Sequence, residues 1–181
     1  MSPLATLLAA SSLTCLMAQP RYAADGQWNL PSDYREWVFL SSGLGMTYEP
    51  PSAQSGQRSP AFTNVFVNPS AYRSFLATGT WPDKTMLLLE VRTSSSKGTI
   101  NQAGSYQSDV LAIEGEVKDV TKFPGNGWAF FAFGKSSTGK LLARTQDCYS
   151  CHIEHGAVDN TFVQFYPVLL GIAKQKGTLK P

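Results

Sequence analysis

"KTMLLLEVRT" occupies Lys84–Thr93. Met86 to Leu89 form an apolar run with no polar break, bounded by Pro82-Asp83 on one side and "SSSKG" on the other. Such a short run between turn-forming residues predicts a strand buried on both faces. Neighbouring stretches follow suit. "FTNVFVNP" (62–69) predicts a strand ended by Asn68-Pro69, "DVLAIEGEVKDV" (109–120) a strand with Glu114 in its middle, and "WAFFAFG" (128–134) a strongly aromatic strand. "SSSKGTINQAGS", "FPGNG" and "KSSTGK" read as the turns between them. Upstream, "LPSDYREWVFLSS" predicts a helical turn capped by Ser32 and then a strand through Trp37–Leu40. "EPPSAQSGQRSP" (49–60) reads as a loop.

Helical spacing enters at three places. "SAYRSFLATG" predicts a helix capped by Ser70, with Tyr72, Phe75 and Leu76 on its apolar face and a stop at Gly79. Two more are expected near the C-terminus: one over "QDCYSCHIEHG" (146–156), capped by Thr145 or Asp147, and one over "YPVLLGIAKQKG" (166–177), with Pro167 in its first turn. The predicted class is α+β, a mainly antiparallel β-sheet with flanking helices, in a single domain over residues 25–181.

Composition narrows the function classes. Of 181 residues, 43% are hydrophobic and 15% charged, the balance of a globular chain with a real core. Net charge is +2, and the Lys and Arg residues are scattered rather than clustered, which argues against a nucleic-acid partner. "LATLLAASSLTCLMA" (4–18) is an apolar run too short to span a bilayer, and it fits the core of a secretory signal. It lacks the usual preceding Lys or Arg; a buried N-terminal helix is the alternative reading. Cleavage after Ala18 or Ala24 makes residues 1–24 the expected signal and the mature chain periplasmic, with no membrane association once processed. Cys15 would leave with the signal, so two of the three cysteines, Cys148 and Cys151, remain.

Those two lie in "CYSCH", where His152 follows Cys151 directly. C-x-x-C-H is the attachment sequence of haem c. On a helix, residues three and four apart share a face. Cys148 and Cys151 can therefore form thioethers to one porphyrin edge, while His152 rises from the same face as proximal iron ligand. Zinc would need more ligands than His155 can supply. A thioredoxin-like pair belongs at the start of a βαβ unit, and a disulfide between residues three apart is geometrically awkward. The expected cofactor is one covalent haem c. For the sixth position, Met46 sits in a Gly-containing loop, Met86 belongs to the buried strand, and His155 shares the motif helix. The expectation is an iron with no strong sixth protein ligand, suited to small molecules; an electron carrier using Met46 is the alternative.

"YREWVFL", "FVNPSAY", "WPDKTMLLLEVR", "GWAFFAF" and "CYSCH…FVQFYPVL" together, in this order, resemble the cytochrome P-460 and cytochrome c′-beta family. The resemblance implies a periplasmic protein, often a homodimer, with a five-coordinate haem. One branch of that family oxidises hydroxylamine and carries a lysine cross-linked to the haem edge; the other binds nitric oxide without it. The lysine position falls on Leu89, and alternation along a strand puts Thr85, Leu87 and Leu89 on one face, with Lys84 on the other. The resemblance also places a distal arginine position on Thr63 and a distal proton-relaying carboxylate on Glu114. Read as a buried carboxylate in an apolar strand, Glu114 is costly enough to suggest a use, with a salt bridge to Arg92 or Lys118 as the plainer account. The expected function is nitric oxide binding, with Leu89, Thr63 and Glu114 in the distal pocket. Hydroxylamine oxidation or peroxidase-like turnover, and electron transfer to a partner cytochrome, are the alternatives.

Overall fold

A computed structural model of the chain describes residues 18–47 and 59–180. The expected signal up to residue 17, and most of the loop expected at 49–60, lie outside the described residues. Seven strands form one antiparallel sheet: β1 (Trp28–Asn29), β2 (Val38–Leu44), β3 (Phe62–Val67), β4 (Met86–Ser95), β5 (Tyr106–Lys118), β6 (Trp128–Gly134) and β7 (Thr138–Leu141). Strands β2 to β7 pair in sequence as a meander, and β1 closes the far edge against β7. Helix α1 (Pro69–Thr78) follows β3, while α2 (Asp147–His155) and α3 (Pro167–Lys176) follow β7. The fold is α+β, as the strand-rich reading predicted. The β1 and β7 strands escaped that reading, because "WN" is too short for a pattern and "TGKL" is hidden behind a glycine.

The sheet separates two cores. On the helix face, Leu87, Val67, Trp128 and Leu40 pack against Phe75, Tyr166, Leu169 and Ala173. On the other face, Met86, Leu88, Val117, Phe131 and Phe133 pack around the fully buried Trp28. Burial on both sides explains the unbroken run Met86–Leu88. From Leu89 onward the strand is only partly buried apart from Glu90, so the two-sided core ends there. The aromatic strand β6 alternates in the same way, sending Trp128 to one core and Phe131 and Phe133 to the other.

The helix caps differ from expectation. Asn68, not Ser70, precedes α1, and its side chain bonds across to β4: Oδ1 accepts from Met86 N–H (2.9 Å), and Nδ2 reaches the Lys84 carbonyl (3.3 Å). Ser70 is buried in the first turn and receives a bond from Asn68 Nδ2 (3.1 Å). Phe75 is fully buried, Tyr72 half-buried and Leu76 exposed, so the helix docks on a narrower stripe than its spacing suggested. Asp33, not Ser32, precedes the 3₁₀ turn Tyr34–Glu36, and Gln146, not Thr145 or Asp147, precedes α2.

Glu90 points to the face opposite the helices and is 2% exposed. It accepts hydrogen bonds from Tyr34, from Arg35 (2.6 Å) and from Arg92. Burial opposes its charge, but the bonds from Arg92, Tyr34 and Arg35 outweigh burial and hold its pKa below the ordinary carboxylate value. The Tyr34 hydroxyl, buried beside that carboxylate, is pushed up to about 12. A carboxylate with a depressed folded pKa stabilises the fold above its unfolded value, about 4.3, and loses that stabilisation as pH falls through the folded value. Urea midpoints are therefore expected to fall as pH drops below about 4.5. In Glu90→Gln the midpoint starts lower at neutral pH, and its acid-side slope is shallower. An identical slope in the two proteins would show that Glu90 does not carry this dependence.

Candidate haem site

Helix α2 holds Cys148, Cys151 and His152 on two successive turns. Its buried residue, Tyr149, stands edge-on to Phe130 of β6, with ring centroids 4.7 Å apart. Three residues on, the His152 ring lies between Phe130 (4.5 Å) and Phe162 (4.4 Å). The i, i+3 pair thus leans α2 onto the helix face of the sheet. Cys148 and Cys151 are half-buried free thiols. Burial, then the Glu114 charge, pushes the Cys148 thiol pKa up. His155 is exposed and turned towards Glu154 (3.8 Å).

The imidazole of His152 is fixed through Nδ1, which donates to the Asn160 carbonyl at 2.8 Å. A carbonyl can only accept, so Nδ1 carries the hydrogen and Nε2 is the nitrogen left for a metal. Such an outer partner sets the ring orientation and raises the basicity of a ligating histidine. Burial opposes the charged imidazole, but the Glu116 carboxylate and the Asn160 carbonyl outweigh it, and the His152 pKa lies above its ordinary value.

A tight turn presents that carbonyl. Asp159 (φ 48°) and Asn160 (φ 64°) are both left-handed between the paired Val158 and Thr161, the backbone of a type I′ turn, where Asp and Asn are favoured. Asp159 Oδ2 accepts from Trp81 N–H (3.1 Å) and from Lys118 Nζ (3.2 Å), and Trp81 Nε1–H donates to Thr161 Oγ1 (2.8 Å). Gly156 lets the turn approach α2. A Cβ there would lie 2.5 Å from both the Asn160 carbonyl carbon and the His152 carbonyl oxygen.

The expected distal residues sit on the same sheet face. Leu89 pairs directly with Glu114 on one side and Val65 on the other. Glu114 pairs in turn with Ala132. The next row towards α2 is Val67, Leu87, Glu116 and Phe130. On the other side lies Thr63, opposite Val91 and partly buried. The structure thus aligns Leu89 and Glu114 and puts Thr63 one row out. The premise about Glu114 needs correction: it is exposed, and the buried carboxylate of β5 is Glu116. Arg92 and Lys118 do not pair with Glu114, since they bond Glu90 and Asp159. The Glu114 charge is nevertheless felt at both Cys148 and His152. Met46 is half-exposed, and its sulfur folds back over Gly43 beside the Thr63 hydroxyl.

A family model described as Cytochrome P460 matches residues 31–163, from the start of the first helical turn region through the His152–Asn160 contact. The chain belongs to the cytochrome P460 family. It is therefore a haem protein. No curated protein matches the sequence significantly. The residues present fit the cofactor of a cytochrome P460. Two unpaired thiols and an imidazole with its Nδ1 already engaged share one helix, and a buried carboxylate oxygen of Glu116 stands unsatisfied beside that imidazole. Glu116, Asn160, Asp159, Gly156 and Trp81 went unnoticed in the sequence. Parity could have found Glu116, two residues from Glu114, and the Asp-Asn pair signals a turn.

Proposed function

We propose that this cytochrome P460 family member is an exported protein with one haem c that binds small neutral ligands such as nitric oxide. Thioethers from Cys148 and Cys151 and an iron bond from His152 Nε2 would hold it. The haem would supply iron-centred ligand binding and redox chemistry. Leu89 carries this reading. Where the family resemblance places the lysine of the hydroxylamine-oxidising branch stands an alkyl side chain, between Val65 and Glu114 and next to the Leu87 row. An alkyl side chain cannot cross-link to the haem edge, and it offers no hydrogen bond to a charged ligand. Periplasmic location and a homodimer accompany this proposal as family expectations.

Titrating the reduced protein with nitric oxide under anaerobic conditions tests it. Stoichiometric binding is expected, with no red-shifted, cross-linked band beforehand; a red-shifted cross-linked spectrum or no binding would refute it. Electron carriage through Met46 is tested separately. Met46→Ala is expected to leave the ferric and ferrous spectra and the midpoint potential unchanged, and a shift in spin state would restore the carrier reading.

Glu114 supports a second reading, turnover of hydroxylamine or peroxide. It is exposed, stands directly opposite Leu89, and its charge reaches Cys148 and His152. A proton-relaying carboxylate contributes about 10²–10⁴-fold. Under this reading, Glu114→Gln lowers turnover with an artificial electron acceptor by at least a hundredfold. Under the ligand-binding reading, neither protein turns over faster than free haem.

A further inference from the structure

Glu116 is 7% exposed and lies on the helix face of β5, between Leu87 and Phe130 in its row. Among the described residues its ion-pair partner is His152, with Oε2 3.3 Å from Nδ1. That oxygen is buried yet makes no well-aligned hydrogen bond. The distance satisfies a contact, but the N–H points to the Asn160 carbonyl at 2.8 Å, so Glu116 meets the ring as a charge rather than as its main acceptor. Lys118, two residues on, is spent on Asp159 and the Trp81 carbonyl. A buried carboxylate with neither Lys nor Arg is expensive, by several kcal/mol before compensation. Its compensation has to come from the imidazole.

We propose that Glu116 is a positioning residue for the proximal ligand, tuning the haem iron electrostatically through His152. This rests on His152 being that ligand. A negative charge beside Nδ1–H stabilises positive charge on the imidazole as Nε2 donates electron density to a metal. Donation is strengthened and the higher iron oxidation state favoured. Asn160 fixes the ring, and Glu116 sets how strongly it donates. Two partners on one nitrogen thus do separate work.

The test uses the purified holoprotein with Glu116→Gln and Glu116→Asp. Glu116→Gln keeps the shape and removes the charge. Its midpoint potential is expected to rise, changing the ferric-to-ferrous ratio at fixed potential about tenfold, equivalent to 59 mV for one electron. Its iron–histidine stretching band, read by resonance Raman on the ferrous protein, moves to lower frequency. Glu116→Asp keeps the charge one methylene further back and shifts both readings in the same direction by less, which serves if Glu116→Gln fails to fold. Lost thermal stability with both readings unchanged overturns the proposal, because a packing role alone moves neither. A native protein with no iron–histidine band removes the His152 assignment itself, and the Glu116 proposal falls with it. A native band that the variants do not shift removes only the Glu116 proposal.

Discussion

Replacing Cys148 and Cys151 together by alanine is expected to remove all covalently held haem. On a denaturing gel the haem stain disappears, and the mass of the unfolded chain falls by the haem increment beyond the two sulfur atoms lost. The effect is large because no other thiol remains in the described residues. It is also separable from misfolding. Both positions are half-buried on α2, and alanine is the best helix former, so the helix itself survives. The core contacts of α2 run through Tyr149 and His152 instead. Each single replacement retains one thioether and keeps the stain with an altered visible band. A double variant that still stains would mean the haem is held elsewhere.

Gly156→Ala is the second large effect, and it needs no change in any group that touches the haem. The new Cβ would stand 2.5 Å from two backbone atoms, the Asn160 carbonyl carbon and the His152 carbonyl oxygen. Neither is the loose end of a side chain. The Val158–Thr161 turn is tied to Trp81 and Lys118 through Asp159 and Thr161, so it cannot swing freely aside. Overpacking costs about 1–3 kcal/mol. If the turn yields, the 2.8 Å bond from Nδ1 is lost, and a buried donor without a partner costs about 1–3 kcal/mol more. At about 2–4 °C per kcal/mol for a chain of this size, the melting temperature drops visibly. The iron–histidine band also broadens or shifts, which separates this variant from one that merely loosens the core. A native-like melting temperature would show that the turn moves without cost.

Much of this was readable from residue order. Met86–Leu89 announced a strand buried on both faces, which holds as far as Leu88, and "WAFFAFG" matched β6 residue for residue. "CYSCH" announced the three groups that α2 carries. What stayed hidden depends on tertiary geometry. Glu114 and Glu116 are equivalent to a period-two reading, yet one faces solvent and the other is closed in, because His152 of α2 packs against Glu116 and its row neighbour Phe130. Asn160 acts through its backbone carbonyl, so its side chain could not signal the role. The indole N–H of Trp81 bonds a turn 80 residues away, a contact that no local pattern signals. Ser70 looked like a cap because Asn68 precedes proline, and the cap side chain is diverted to β4.

Cys148, Cys151 and His152 are proposed to hold a haem whose sixth position is left open by the protein. The ferrous optical spectrum of the purified holoprotein, without added ligand and supported by electron paramagnetic resonance of the ferric form, tests it most directly. A high-spin, five-coordinate iron is expected in both oxidation states, without the red shift of a lysine–haem cross-link. A low-spin ferrous spectrum with sharp α and β bands, marking a Met or His sixth ligand, would contradict it.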